Sequence, residues 1–400
     1  MSASLFSAVE QAPRDPILGL SEAFNADARP EKVNLGVGVY YDDNGKLPLL
    51  AAVKAAEEKR LKAQPPRGYQ PIDGNAAYNQ AVRELVFGAG SQLATDGSVI
   101  TLQTLGGTGA LKVGADYLKR LLPQSTLYLS DPSWENHRAL FEAAGFAVES
   151  YPYYDPATRG VNFSAMRQKL ASLPPSSIVL LHACCHNPTG ADLTEGEWQE
   201  VAALAREKRL VPFLDMAYQG FADGIEADTA APRAFAATGA QFFLSSSFSK
   251  NFSLYGERVG ALSIVTAGKE EGARVLSQAK CVIRVNYSNP PTHGGAIVTA
   301  VLTDPELRGQ WENELSGMRE RIRSMRAGLV EALKAAGAAR DFSFIARQRG
   351  MFSYTGLTPE QVERLKAEFG IYAVSSGRIN VAALNCKNLP VVARAIAAVL

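Results

Sequence analysis

Disulfide-forming cysteine is scarce. Cys184, Cys185, Cys281 and Cys386 are the only four in 400 residues, two of them adjacent. That set shows no disulfide framework, which argues against a cross-linked secreted scaffold and fits a reducing cytoplasm. Charge of one sign is also missing: 41 Lys+Arg face 40 Asp+Glu, for a net charge of +1. Such a surface offers no electrostatic reason to hold nucleic acid or an anionic membrane. No apolar run approaches a membrane span. Residues 1–20, interrupted by Glu10, Arg14 and Asp15, have no continuous apolar core, so neither a signal peptide nor an anchor is expected there. Repeats and low-complexity tracts are absent as well. What remains, 46% apolar and 20% charged, is an ordinary globular composition. At 400 residues the chain exceeds the size at which one core stops growing, so two domains are expected.

Strand, turn and helix alternate along most of the chain. Residues 98–102 form a β-rich run, Gly106-Gly107-Thr108-Gly109 a turn, and 110–122 a helical period. The amides of Gly107 and Thr108 stand at a helix start and suit an anion. The next strand, 126–130, leads through Asp131-Pro132-Ser133 to a helix over 134–144 that Trp134 opens. Trp134 offers a flat face beside a strand end, and His137 reads as a capping or solvated residue. A third strand begins at Ser177 and runs into His182-Ala183-Cys184-Cys185-His186-Asn187-Pro188-Thr189-Gly190. Its His and Cys residues invite a metal reading. Alternate strand residues face opposite sides, however, and adjacent cysteines converge poorly, so no metal is expected. Thr194 and Glu197 then make a capping-box signature.

The fourth strand, 210–215, ends in Asp215, followed by Tyr218. A carboxylate at the end of a buried strand is costly without a cationic partner. The fifth, starting at Gln241, ends in Ser245-Ser246-Ser247-Phe248-Ser249-Lys250, with Arg258 eight residues beyond the lysine. Desolvation lowers the pKa of such a lysine and leaves an amine able to condense with an aldehyde. Ser247, Ser249 and Arg258 are suited to a phosphate. Special residues at strand carboxyl ends are the pattern of a parallel sheet with a ligand crevice.

Elsewhere, the alternation of Val33, Leu35, Val37 and Val39 predicts a strand over 32–41 in which Gly36 and Gly38 leave one face bare. A helix is expected over 50–61, ended by Pro65-Pro66. Tyr69 lies in a loop over 67–74. Residues 259–265 continue the sheet, and 284–291 read as a donor-rich loop. A long helix spans about 305–336, with Arg319, Arg321, Arg323 and Arg326 on a solvated face or linking two domains. A smaller α/β unit closes the chain.

In order and spacing, GGTGAL, SDPSWENH, HNPTGADL, DMAYQGF, SFSKNFSLYGERVG, YSNPPTHG, RGMFSYTGL and SGRINVA closely resemble the class I aminotransferases of pyridoxal-phosphate fold type I. The resemblance covers nearly the whole chain and is strongest to bacterial aromatic-amino-acid (tyrosine) aminotransferases, relatives of aspartate aminotransferase. It implies a large α/β domain, 48–310, with a mostly parallel seven-stranded sheet flanked by helices. A smaller α/β domain would comprise 1–47 and 311–400. It implies pyridoxal 5'-phosphate as cofactor, amino and 2-oxo acids as substrates, and a homodimer with shared active sites. Lys250 would carry the cofactor and move the proton, Asp215 would keep the ring nitrogen protonated, and Tyr218 and Asn187 would bond the phenolic oxygen. Trp134 would pack on the ring, with His137 and His182 as supports. Gly107, Thr108, Ser247, Ser249 and Arg258 would grip the phosphate, joined by Tyr69 of a partner subunit. For substrate, Arg378 with Asn187 would take the α-carboxylate, Arg284 from across the dimer a distal carboxylate, while Gly38 and Phe352 close over the side chain.

Overall fold

The computed structural model describes residues 4–12 and 17–400. At its centre is a sheet of seven strands: β1 (Val99–Leu105), β2 (Thr126–Asp131), β3 (Ala147–Pro152), β4 (Ile178–His182), β5 (Val211–Met216), β6 (Phe242–Ser247) and β7 (Val259–Val265). Their spatial order is β1-β7-β6-β5-β4-β2-β3. Every neighbouring pair is parallel except those made by β7, which runs antiparallel to β1 and β6. Both faces of a parallel sheet must be covered, and β4 and β6 are accordingly buried at every residue. After β3 the chain returns to the other side of β2 and builds β4, β5 and β6 away from it. That reversal opens a crevice at the strand carboxyl ends.

The first helix after β1, α1 (Gly106–Leu121), begins four residues before the predicted start. Glycines have poor helix propensity, but packing overrides it here. A Cβ on Gly107 would lie 3.1 Å from Ser247 Cβ, and one on Gly106 would lie 2.5 Å from an Arg258 nitrogen. Next comes α2 (Glu135–Ala143), with Trp134 at its N-cap. The expected loop at 284–291 is partly helical: α3 (Lys269–Asn286) includes Arg284, because Val282 and Ile283 are buried and hold its last turn to the core. The chain breaks only at Tyr287 and at Ser288, whose φ is 70°.

The long helix α4 (Pro305–Ala335) starts as its sequence dictates: Asp304 accepts from the amides of Glu306 and Leu307, and proline occupies the first turn. Its arginines are links. Arg319 donates to Gly220 O at 2.9 Å, Arg321 to Leu384 O at 2.7 Å and Arg323 to Ala222 O at 2.8 Å. Arg326 is buried, not solvated, and donates to the carbonyls of Ile345, Gly350 and Phe352.

The predicted strand over 32–41 is a correction. Only Val33–Asn34 is extended in a ladder, parallel to Ile371–Tyr372. Beyond it, side chains replace the ladder: Asn380 Nδ2 donates to Val37 O and Val39 O, both at 2.7 Å, and Arg378 Nη2 to Gly36 O at 2.7 Å. The alternation of apolar residues here serves a pinned loop. Gly38 lets that loop pass against Phe352, whose Cζ would lie 2.7 Å from an added Cβ. The helix expected at 50–61 runs Ala51–Ala63, and the Thr194–Glu197 capping box is present.

Candidate active site

Pairing in register sets His182 beside Asp215 and Asp215 beside Ser245, so three strands deliver polar groups to one level. They open into a cavity of about 420 Å³, lined by Lys250, Asp215, Tyr218, Asn187, Trp134 and Arg378, together with Gly38, Gly107, Thr108, Ser247, Ser249, Arg258, His182, Tyr255 and Phe352.

Lys250 stands just past β6. Its Nζ lies 4.9 Å from the centre of the Tyr218 ring and has no hydrogen-bond partner among the described residues. Burial, opposed by Asp215 and aided by Arg258, pushes the ammonium down to about 8. Asp215, at the end of β5, accepts from His137 Nε2 at 2.8 Å. Burial alone would raise its carboxyl; the His137 hydrogen bond, with the electrostatic attraction of His137 and Lys250, outweighs it and holds the group below the usual range.

The expectation of a capping or solvated His137 is wrong. The ring is 0% exposed and works between Asp215 and Ser133, whose Oγ is 3.0 Å from Nδ1. The same hydroxyl lies 3.2 Å from His182 Nε2, and burial pushes His182 down to about 3, so it is neutral. Nothing in the helical pattern of 134–144 told His137 from its exposed neighbours, because its partner lies 78 residues away.

At the other end of the cavity the first turn of α1 presents Gly107 and Thr108 opposite Ser247 and Ser249. Arg258 Nη1 donates to Ser249 Oγ at 3.1 Å and to Tyr255 O at 3.0 Å. A helix N-terminus, two hydroxyls and a guanidinium make an anion site. Tyr218 is buried, and desolvation drives its hydroxyl above the ordinary range. Trp134 meets the His137 ring edge-on at 5.1 Å. Arg378, from the last quarter of the chain, donates to Asn187 Oδ1 at 3.1 Å, and its Nε is buried without a partner. Its guanidinium lies 4.3 Å from the centre of the Phe352 ring.

The two residues expected to act from a partner subunit lie outside this chain's own cavity. Tyr69 is 95% exposed, and Arg284 is exposed on α3, bonded to Ser288. One polar lining residue escaped the sequence reading: Tyr255, whose hydroxyl accepts from Tyr40 N at 3.0 Å. An aromatic five residues past the lysine, in a turn, was the available signal.

A desolvated lysine and a buried carboxylate meet above a phosphate-sized anion site, at the carboxyl ends of a mostly parallel sheet. That combination defines an α/β enzyme of amine chemistry. Residues 30–396 match the family described as aminotransferase class I and II, and the chain belongs to it; it is an aminotransferase. It is 66% identical over 397 residues to an aspartate aminotransferase of Pseudomonas aeruginosa, covering 99% of this chain and 100% of the relative. It is 50% identical over 398 residues to the aromatic-amino-acid aminotransferase of Escherichia coli K12, covering 99% and 100%. A crystal structure of the aromatic-amino-acid aminotransferase of Burkholderia pseudomallei, covalently bound to pyridoxal phosphate, matches with a TM-score of 0.97 and 66% identity over 100% of both chains. The architecture is that of the fold type I aminotransferases.

Proposed function

We propose that this aminotransferase moves the amino group of tyrosine or phenylalanine to 2-oxoglutarate in two half-reactions, and that it also accepts aspartate. Pyridoxal 5'-phosphate is the cofactor, and the residues present fit it. Gly107 and Thr108 lie in the first turn of α1, whose amides have no partner within the helix and can take a phosphate, and a Cβ on Gly107 would crowd Ser247 at 3.1 Å. Arg258, Ser247 and Ser249 supply the remaining donors. Asp215 has only His137 on its side chain among the described residues, which suits a cationic ring nitrogen.

When bound, the cofactor supplies an aldehyde for amines and an electron sink for the charge left at the substrate's Cα. Lys250, lowered to about 8, has an appreciable neutral fraction near neutrality, as a nucleophile and then a proton carrier at Cα require. Asp215 favours the proton on the ring nitrogen through its own charge. Tyr218 and Asn187 would hold the phenolic oxygen, and Trp134 would cover the ring. Arg378 presents its fork to the α-carboxylate, which every substrate carries. The reading makes the enzyme a cytoplasmic homodimer in which Tyr69 of the partner subunit reaches the phosphate and Arg284 of the partner subunit a distal carboxylate. It divides the chain into 48–310 and a smaller unit of 1–47 with 311–400. In its support, Lys250 and Arg378 come from opposite sides of that division, both dimer-borne residues are exposed, and no helix of the described residues is long and apolar enough to cross a membrane.

The observation that carries the proposal is Lys250 without a hydrogen-bond partner beside Asp215 and Tyr218. Steady-state assays of tyrosine, phenylalanine and aspartate with 2-oxoglutarate test it: equal amounts of oxo acid and glutamate are expected, with the aromatic donors at least as efficient as aspartate. A second reading, a dedicated aspartate aminotransferase, is favoured by the Pseudomonas relative's name. Turnover of aspartate alone would establish it.

A further inference from the structure

A second cleft, of about 880 Å³, shares no lining residue with the Lys250 cavity. Cys184 and Asp228 line it, with Asp192, Trp198 and Arg349. Neighbouring cysteines face opposite ways on a regular strand, but these two do not lie on one. β4 ends at His182, and Cys185 has a φ of 52°, in the left-handed region. The chain therefore turns both thiols to one side. The two sulfurs and a carboxylate oxygen of Asp228 lie within 4.8 Å of one another.

The turn is held from several directions. Asp192 accepts the amides of Cys185 and His186 at 2.7 and 2.8 Å. Gly350 packs so tightly that an added Cβ would lie 2.4 Å from Cys185 Cβ. Asp228 is already engaged: its two oxygens accept the amides of Gly220, Ala222, Asp223 and Gly224 at 2.7 to 3.2 Å. A carboxylate has about four lone-pair sites, so no free one remains for a metal. The donor set is thus two soft sulfurs, reached from the cleft through Cys184. Soft thiolates select ions such as copper(I) over hard, oxygen-seeking ones.

We propose that Cys184 and Cys185 form a two-sulfur site for a thiophilic d10 ion of the copper(I) type. As each sulfur bonds the ion its proton passes to solvent, so two protons leave and the bound group carries one negative charge. The buried Arg326 guanidinium, which interacts electrostatically with Cys185, offsets that charge. Metal–sulfur bonds of about 2.3 Å, the zinc value, bridge sulfurs up to ~4.6 Å apart, so the pair needs little movement.

The test uses holoenzyme carrying Cys281→Ser and Cys386→Ser, which removes the two exposed thiols. Copper(I) is titrated in without oxygen against a colorimetric copper(I) chelator. One bound equivalent is expected, with two sulfur neighbours in its X-ray absorption spectrum, and that equivalent is lost when Cys184→Ala is added. No binding, nitrogen neighbours, or an equivalent that survives Cys184→Ala overturns the proposal. Should Cys184→Ala not fold, the titration and absorption spectrum of the parent decide it alone.

Discussion

Two buried carboxylates, Asp215 and Asp228, are 6% and 4% exposed and are treated in opposite ways by the chain. Asp228 is satisfied from within by four backbone amides, which tie down the turn after Tyr218. Asp215 accepts one hydrogen bond from His137, and the rest of it faces the Lys250 cavity. A buried charge costs several kcal/mol unless paired. Where the chain supplies every partner, the group serves structure; where it leaves a side open toward a cavity, a ligand is the missing partner.

The sharpest way to break that contrast begins next door. Lys250→Ala should reduce turnover at least ~10⁴-fold, the scale of a lost acid–base group, with the circular dichroism and melting temperature retained. A variant with normal rates would remove the lysine from the chemistry. Asp215→Asn should cost about 10³-fold in kcat, comparable with the loss of an electrostatic stabiliser, at little cost in stability. Asp228→Asn should do the reverse, losing about 2 kcal/mol in urea unfolding while the chemical step persists. If the two variants exchanged these phenotypes, the contrast would be wrong.

The sequence already revealed why Lys250 and Asp215 stand out. Each ends an apolar run, and no amphipathic pattern requires a charge there. The strands themselves were legible because β4 to β7 are continuous or alternating apolar segments. What the sequence hid was set by distant partners. The start of α1 carries glycine because Ser247 and Arg258 crowd it, and residues 35–41 form a loop because Asn380 and Arg378 take its carbonyls. His137 looked like any other residue of an exposed helix turn. Cys184 and Cys185 converge through a single left-handed residue, which no periodicity reveals.

Smaller effects refine the picture. Arg378→Ala should raise KM about 100-fold for every substrate, as expected for a charge-assisted bidentate contact of roughly 3 kcal/mol, whereas Arg284→Ala should impair only dicarboxylates. Equal losses for tyrosine and aspartate half-reactions would refute the division. In cofactor-free protein the lowered Lys250 is a stability cost. Its folded value, about 8, lies below the ordinary 10.5, so the penalty is fully present below pH 8 and fades as pH rises towards 10.5. Lys250→Met should therefore be more stable than the parent at pH 7 by on the order of 2 kcal/mol, allowing for partial exposure. The gap should narrow above pH 8 in urea unfolding; a gap that widens instead would mean the lysine is not desolvated.

The most direct measurement is to load cofactor-free protein with pyridoxal 5'-phosphate, trap the product with borohydride and map it by mass spectrometry. A single equivalent on the peptide containing Lys250 is expected, together with a yellow protein before reduction. A colourless protein, or a label spread over other lysines, would contradict a site built around that amine.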